Sequence, residues 1–471
     1  MRTVLILILL LCQLPCTFAQ SWADTISRIE TIFKKYQPQN PGAQLAISRG
    51  GKLLFSKAWG MADLEQQTSL STNSIIEAGS VSKQFTAAAI LLLEQQGKLS
   101  LNDEVHKYLP ELPTYSHPIT LSQMIHHTSG LKDWGSLVAL SDWPRGTKTY
   151  SNADVFYLMC QQHTLNHTPG EKYQYSNSNY VLLAIILQRI TGQTLAEFTR
   201  DHIFQPAGMN HTTWRDDLKE IIPNRAIAYG KQDGHYFTDM PGESVYGNGG
   251  LLSTAEDLLK WNQYYLSGKL GNPPLLDRQL QTIPLNNGQK NNYAAGLRMD
   301  SINGQPAITH DGATAAYRAS LEHYPSQQLS IAWLSNTAEF DGQPDPLSEV
   351  RNLLLPQTQP VPKHNKTNNT NNQTPAKPKP AVFQIDSQRQ KDYIGSYYSD
   401  EVDSKLSITI QDEKLILVRY INTQYSLIPL EKDKFDIKGS KVQLSFQRKG
   451  SKVIALSFNT PKVSNVSFKK L

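Results

Sequence analysis

Glu77-Ala78-Gly79-Ser80-Val81-Ser82-Lys83-Gln84-Phe85-Thr86 sets a serine and a lysine three residues apart at the head of a helical run. That run, Gln84 to Gln96, carries apolar residues at Phe85, Ala88, Ala89, Leu92 and Leu93 and is followed by Gly97, which predicts a buried helix with a glycine stop. Residues three apart on a helix share one face. The lysine amine then lies beside the hydroxyl and can take or relay its proton. That pairing activates an otherwise weak nucleophile for acyl-enzyme formation.

Spacing alone does not single out Ser80, because S-x-x-K recurs at Ser129–Lys132 and at Ser467–Lys470. Ser129 is followed by Gly130, which suits a turn, and Ser467 lies in a strand-like terminal stretch. Of the three, Ser80 alone opens a long helical run.

A serine hydrolase of this kind also needs a proton carrier, a group to hold the substrate amide and an oxyanion hole. Tyr175-Ser176-Asn177 offers the first two, the tyrosine as carrier if a nearby cation lowers its pKa. The same tripeptide occurs at Tyr150-Ser151-Asn152, and Tyr-x-Asn recurs at Tyr246–Asn248 and Tyr420–Asn422, so spacing leaves the choice open. Tyr150–Asn152 also reads as a loop ending in a helix N-cap at Asn152. His310-Asp311-Gly312 stands just before a late strand region, where a glycine permits close backbone approach and a histidine can bind a carboxylate or move a proton. A metal centre is not expected. His126 and His127 are adjacent, and His163 and His167 lack the glutamate of H-E-x-x-H and are followed closely by Pro169. No cofactor is implied, and no phosphate-cradling loop is present.

The chain has 471 residues, which exceeds one ordinary domain. Arg2, the apolar run Val4 to Leu11, and Thr17-Phe18-Ala19 before Gln20 predict a signal peptide over residues 1–19. A secreted or periplasmic location follows, with no transmembrane segment after cleavage. Of three cysteines, Cys12 and Cys16 fall in the signal, so no internal disulfide is expected and Cys160 is read as a small buried hydrophobe. Residues 356–380 are Asn, Thr, Gln, Pro and Lys with Val361 as the one larger aliphatic, which predicts a disordered linker. It divides a large domain (20–355) of net charge −5 from a small one (381–471) of net charge +5. Neither contains basic runs interleaved with aromatics, so no nucleic-acid partner is expected. The sequons at Asn166, Asn210, Asn365, Asn368, Asn372 and Asn465 matter only in a glycosylating secretory pathway.

The small domain alternates with period two in Leu406-Ile408-Ile410, Leu415-Leu417, Val442-Leu444-Phe446 and Leu456-Phe458, which predicts a small antiparallel β-barrel or sandwich. The large domain opens on a hairpin, Ala43–Ser48 and Leu53–Trp59 about Gly50-Gly51. Helices follow at Gln84–Gln96, Asn179–Ile190 and Ala255–Leu266, and strands return at Ala319–Tyr324 and Leu329–Leu334. Strands at both ends with helices between predict an α+β domain, with helices packed on one antiparallel sheet.

Several stretches, in this order, resemble the penicillin-recognising serine hydrolases of the class C β-lactamase type, which include DD-carboxypeptidases, D-aminopeptidases and esterases. They are Glu77 to Thr86, His127-Thr128-Ser129-Gly130-Leu131, Pro169-Gly170 leading to Tyr175-Ser176-Asn177, Ile203 to Met209, and Gly249 to Thr254. The likeness runs from about Ile26 to Leu355 and implies a β-lactamase/transpeptidase-like fold. It selects Tyr175 and Asn177, because Pro169-Gly170 precedes them as in the family. It implies Ser80 as nucleophile, Lys83 and Tyr175 as general base and acid, and Asn177 as the amide holder. His310 and Gly312 would form the third motif, and the backbone N–H groups of Ser80 and Ala313 the oxyanion hole.

β-Lactamases of this type usually carry lysine where this chain has His310, and histidine is similar to DD-peptidase and D-aminopeptidase members. Tyr393-Ile394-Gly395-Ser396-Tyr397 and the strands after it are similar to barrel appendages of peptidase-like members. The resemblance thus implies a hydrolase acting on a small peptide, ester or β-lactam substrate, peptidoglycan stems among them. A β-lactamase or esterase on the same site is the alternative. An inactive, envelope-binding relative is the reading from another class.

Overall fold

The computed structural model describes residues 22–339, 346–355, 383, 385–419 and 423–471. The expected signal peptide (1–19) and linker (356–380) lie outside the described residues. Strands β1 (Ala43–Arg49) and β2 (Lys52–Trp59) form the expected hairpin. Four strands from the far end of the domain join them: β3 (Arg298–Ile302), β4 (Gln305–Thr314), β5 (Tyr317–Tyr324) and β6 (Leu329–Ser335). The sheet order is β3-β4-β5-β6-β1-β2, antiparallel throughout.

Period two divides the residues of β1 between two cores. Leu45 and Ile47 pack with Ile29 and Phe33 of helix α1 (22–33) on one face. Ala46 faces the main helical core on the other. That core holds α2 (Lys83–Gln95), α3 (Asn152–Cys160), α4 (Asn177–Thr191) and α5 (Ala255–Leu266). A sixth helix, α6 (Pro346–Leu354), returns to the α1 side through Leu347 and Val350. Every residue of α2 from Lys83 to Leu93 is buried, so this helix is an internal post rather than an amphipathic cover. No single helix among the described residues is long and apolar enough to cross a membrane.

The C-terminal unit is a closed antiparallel barrel. Its strands are β7 (Gly395–Ser399), β8 (Ser404–Gln411), β9 (Lys414–Arg419), β10 (Thr423–Glu431), β11 (Lys434–Ile437), β12 (Gln443–Lys449), β13 (Lys452–Thr460) and β14 (Val463–Lys470). Pairing of Tyr397 with Lys470 closes it, which leaves no free edge. Leu406, Ile408, Leu444, Phe446, Leu456 and Phe458 fill the interior as their alternation predicts. Ile410 departs from the pattern. It is 38% exposed, near the end of β8 where the barrel wall gives out.

The barrel is tied to the large domain by polar contacts. Lys132 Nζ, on a fully buried side chain, donates to Glu401 Oε2 at 2.6 Å. Gln162 Nε2 donates to the Glu401 carbonyl at 2.6 Å, and Ser404 Oγ donates to Asp142 Oδ1 at 2.7 Å. Cys160 is only partly buried, at the end of α3, with burial raising its thiol pKa.

Candidate active site

Ser80 does not sit on the helix proper. It lies in a 3-10 turn, Gly79–Ser82, that feeds α2. Ser82 Oγ holds the turn by donating to the Gly79 carbonyl at 2.5 Å and accepting from Leu251 N at 3.1 Å. Beside it, Glu77 forms a buried two-pronged ion pair with Arg215 (2.7 and 3.1 Å) and accepts from Gly250 N at 3.2 Å. The two-pronged geometry offsets part of the cost of burying the charges, although Arg215 Nη1 finds no hydrogen-bond acceptor among the described residues.

Lys83, the first residue of α2, reaches back to the serine. Its Nζ donates to Ser80 Oγ (3.0 Å), Asn177 Oδ1 (2.9 Å) and the Asn248 carbonyl (2.6 Å). Complete burial holds its pKa well below the usual lysine value of 10.5; Asp133 opposes that shift, and Lys462 and Arg298 add to it. Asn177 opens α4, and its amide is fixed from both ends, since Nδ2 donates to Asp133 Oδ2 at 2.9 Å.

Tyr175 precedes α4 and presents its ring to Lys83, with Nζ 4.8 Å from the ring centroid. The condition set for it as a carrier, a pKa lowered by a nearby cation, is not met. Burial wins instead and pushes the phenol well above 10, with a hydrogen bond to Ser80 opposing. Tyr175 therefore stays protonated across the physiological range. His127 packs against it at a tilt of 36°, with 4.2 Å between ring centroids.

β4 brings His310, Gly312 and Ala313 against the serine turn. A Cβ on Gly312 would lie 2.0 Å from the Ala78 carbonyl oxygen and 3.1 Å from Ser80 N, so only glycine fits there. A Cβ on Gly79, at φ +50°, would lie 2.7 Å from Ala313 N. The main chain of the Ser80 turn and that of β4 at Ala313 thus run close against each other. His310 Nδ1 donates to the Asp311 carbonyl (2.7 Å) and Nε2 accepts from Tyr293 Oη (2.9 Å). Burial, with Lys83 nearby, lowers its pKa to about 3, so the ring is neutral. Ser80, Tyr175, His310, Gly312 and Ala313 line one cleft of about 700 Å³.

The competing motifs turn to structural work. Ser129 Oγ donates to Asn179 Oδ1 at 2.7 Å, and Lys132 is the barrel's ion-pair partner. Ser467 lies within β14. Tyr150 Oη donates to the Trp143 carbonyl, and Asn152 binds both the N–H and the carbonyl of Tyr246. The N-cap of α3 is Ser151, one residue before the expected Asn152, because Ser151 and Asp154 form a reciprocal capping box. Tyr246–Asn248 does reach the site, but through the Asn248 main chain. Tyr420–Asn422 lies outside the described residues. His126 Nδ1 donates to the Ser122 carbonyl at 2.7 Å, His127 Nδ1 accepts from Ser176 N at 3.2 Å, and His167 Nδ1 donates to its neighbour's carbonyl at 2.8 Å.

Four groups at the site carry no sequence signal of their own: Asp133, Tyr293, Arg298 and Lys462. Lys462 comes from the β13–β14 turn of the barrel and lines the same cleft as Ser80.

Residues 22–353 match the family model described as Beta-lactamase. Penicillin-binding protein 4* of Bacillus subtilis (strain 168) is 27% identical over 437 residues, covering 88% of this chain and 92% of that protein. The octameric penicillin-binding protein homologue from Pyrococcus abyssi shares the fold with a TM-score of 0.60 at 21% identity, over 95% of this chain and 99% of that one. The D-amino acid amidase from Ochrobactrum anthropi SV3, complexed with D-phenylalanine, does so with a TM-score of 0.58 at 19% identity, over 70% and 98% of the two chains. The chain belongs to the β-lactamase family of serine hydrolases.

Proposed function

We propose that the protein is an exported hydrolase that cleaves amide or ester bonds through an acyl-Ser80 intermediate. Its substrates are D-amino-acid peptides such as peptidoglycan stems, cleaved in the manner of a DD-carboxypeptidase or a D-aminopeptidase. The observation that carries the mechanism is the buried Lys83 amine, 3.0 Å from Ser80 Oγ, with its pKa held down by burial. As the free amine it takes the hydroxyl proton while Oγ attacks the carbonyl carbon. The N–H groups of Ser80 and Ala313 receive the developing oxyanion. Tyr175, kept as the phenol, passes a proton to the leaving nitrogen or oxygen and is reprotonated from Lys83. Water then attacks the ester carbonyl with the same groups in reverse, releasing the acid and free Ser80. Asn177, clamped between Lys83 and Asp133, keeps one amide hydrogen for the substrate.

The substrate class is supported by the names of the relative and neighbour, a penicillin-binding protein and a D-amino acid amidase. His310 supports a peptidase over a β-lactamase, since β-lactamases of this type usually carry lysine at that place in the third motif. Intact-protein mass after exposure to a penicillin, with Ser80→Ala alongside, tests the nucleophile, and D-alanine release from an acyl-D-Ala-D-Ala peptide tests the substrate. An adduct on the native chain alone, with D-alanine released, is expected. An adduct retained in Ser80→Ala would sink the mechanism.

A further inference from the structure

Glu401 stands in the turn between β7 and β8 of the barrel, and it holds three partners at once. Oε2 takes the Lys132 ammonium at 2.6 Å, Oε1 accepts from Ser467 N at 3.1 Å, and its carbonyl accepts from Gln162 Nε2 at 2.6 Å. The Lys132 side chain has no exposed surface. Burial works against its charge, and Glu401 is the group that opposes this. A buried ammonium deprived of its carboxylate is strongly unfavourable. It is relieved by drawing Lys132 toward water, and the next residue in the chain is Asp133.

The main chain at Lys132 belongs to the frame of the active site. Its carbonyl accepts from Ser178 Oγ (2.7 Å) and Ser176 Oγ (3.3 Å), the two residues that flank Asn177. Ser178 Oγ in turn accepts from Trp134 N at 2.8 Å. Between them, Asp133 Oδ2 holds Asn177 through N and Nδ2, while Oδ1 is tied to Ser136 N and Oγ, both at 3.1 Å. Residues 132–134 and 176–178 are thus laced together. Asn177 Oδ1 passes the connection to Lys83 Nζ at 2.9 Å. Contacts therefore run unbroken from Glu401 through Lys132, Asp133 and Asn177 to Lys83. A plain tether between the domains needs none of this: Ser404 Oγ joins Asp142 at the same interface without touching either segment.

We propose that Glu401 of the barrel is a positioning residue of the hydrolase site, holding Lys132 in place and through Asp133 setting the Asn177 amide that meets the substrate. The inference rests on the acyl-Ser80 reading and adds the barrel to the groups that orient the substrate amide. Docking of the barrel is thereby felt at the catalytic lysine.

The test compares two activated nitrophenyl esters, an N-acetyl-D-alanyl ester and an acyl ester of the same length with methylenes in place of the amide. The native chain is expected to favour the amide-bearing ester in kcat/KM by about tenfold, the scale of one hydrogen bond. In Glu401→Gln, which keeps the size and removes the charge, that preference falls toward one. A change that merely unfolds part of the sample lowers both rates together and leaves the ratio alone. Ser404→Ala is expected to keep the native ratio. Lys132→Met combined with Glu401→Gln is expected to recover much of the preference, because the uncompensated charge is gone. A native ratio near one, a ratio unmoved by Glu401→Gln, an equal fall in Ser404→Ala, or no recovery in the double change would overturn the proposal. Ser80→Ala is read beside these. Turnover lost there while Glu401→Gln leaves the ratio unmoved removes the role of Glu401 and leaves the nucleophile standing. Turnover kept in Ser80→Ala overturns both.

Discussion

Asp133 Oδ2 accepts two hydrogen bonds from Asn177, from the backbone N at 2.8 Å and from Nδ2 at 2.9 Å. One carboxylate thus caps the start of α4 and turns the Asn177 amide so that its oxygen meets Lys83. It acts on the substrate only through another residue. Asp133→Asn keeps the size but can present its amino group to the Asn177 donors. Its kcat/KM should fall by about 10- to 100-fold, the scale of one charge-assisted hydrogen bond. The bond between Lys83 and Asn177 should loosen with it, seen as a shifted pH profile. An unchanged profile with only a lower Tm would assign Asp133 a purely structural role.

Ser80→Ala should lower turnover by on the order of 10⁴-fold or more while leaving the fold intact, as loss of a nucleophile does elsewhere. The side chain is partly exposed and packs no core, so Tm should hold. Circular dichroism melting and single-turnover kinetics on an activated ester would check both halves.

The depressed pKa of Lys83 has a stability signature. The unfolded chain protonates this lysine below its ordinary value of 10.5, whereas the folded chain resists until a lower pH. Stability contributed through this group is therefore lost as pH falls from about 10.5 toward the folded pKa, and no further below it. Lys83→Met removes that penalty. Its Tm relative to the native chain should be more favourable at pH 7 than near pH 10.5, while its turnover is abolished. A Tm difference that does not vary with pH would contradict the burial argument.

His310, with its pKa near 3, should contribute no inflection to the kcat/KM profile between pH 5 and 8. The acid limb belongs to Lys83. If His310→Gln moved that limb, the neutral-imidazole assignment would fail.

Glu401→Ala strips the partner from a lysine whose side chain is wholly buried. Leaving such a charge uncompensated costs about 3–5 kcal/mol. The double change Lys132→Met with Glu401→Ala should recover much of it, measured by urea denaturation of the full chain.

Much of the site was legible because it is local. Ser80 and Lys83 are three residues apart, Tyr175 and Asn177 two, and each pair is held by the start of a helix. The barrel strands were legible because their period-two pattern matches a sheet covered on one face, the barrel interior. What spacing could not decide was which Tyr-x-Asn to choose. Tyr150 and Asn152 have the same composition but spend it on Trp143 and Tyr246. Asp133 and the Asn248 carbonyl stayed invisible because they meet Asn177 and Lys83 across 44 and 165 positions. Lys462 lies beyond the linker, on a turn whose sequence says nothing of what it faces. The direction of the Tyr175 shift was not legible for a related reason, since burial is a property of the assembled core.

Asn166 is the acceptor residue of a sequon, Asn166-His167-Thr168, and its amide is already committed to the Lys462 carbonyl and Ser464 N. A sugar on that nitrogen would take the space of the barrel turn and push the hairpin off the cleft. Material made in a glycosylating host would therefore carry a serine centre with its barrel wall pried away. The choice of expression organism becomes a chemical variable, and removing the sequon at Thr168 rather than at Asn166 is the way to neutralise it.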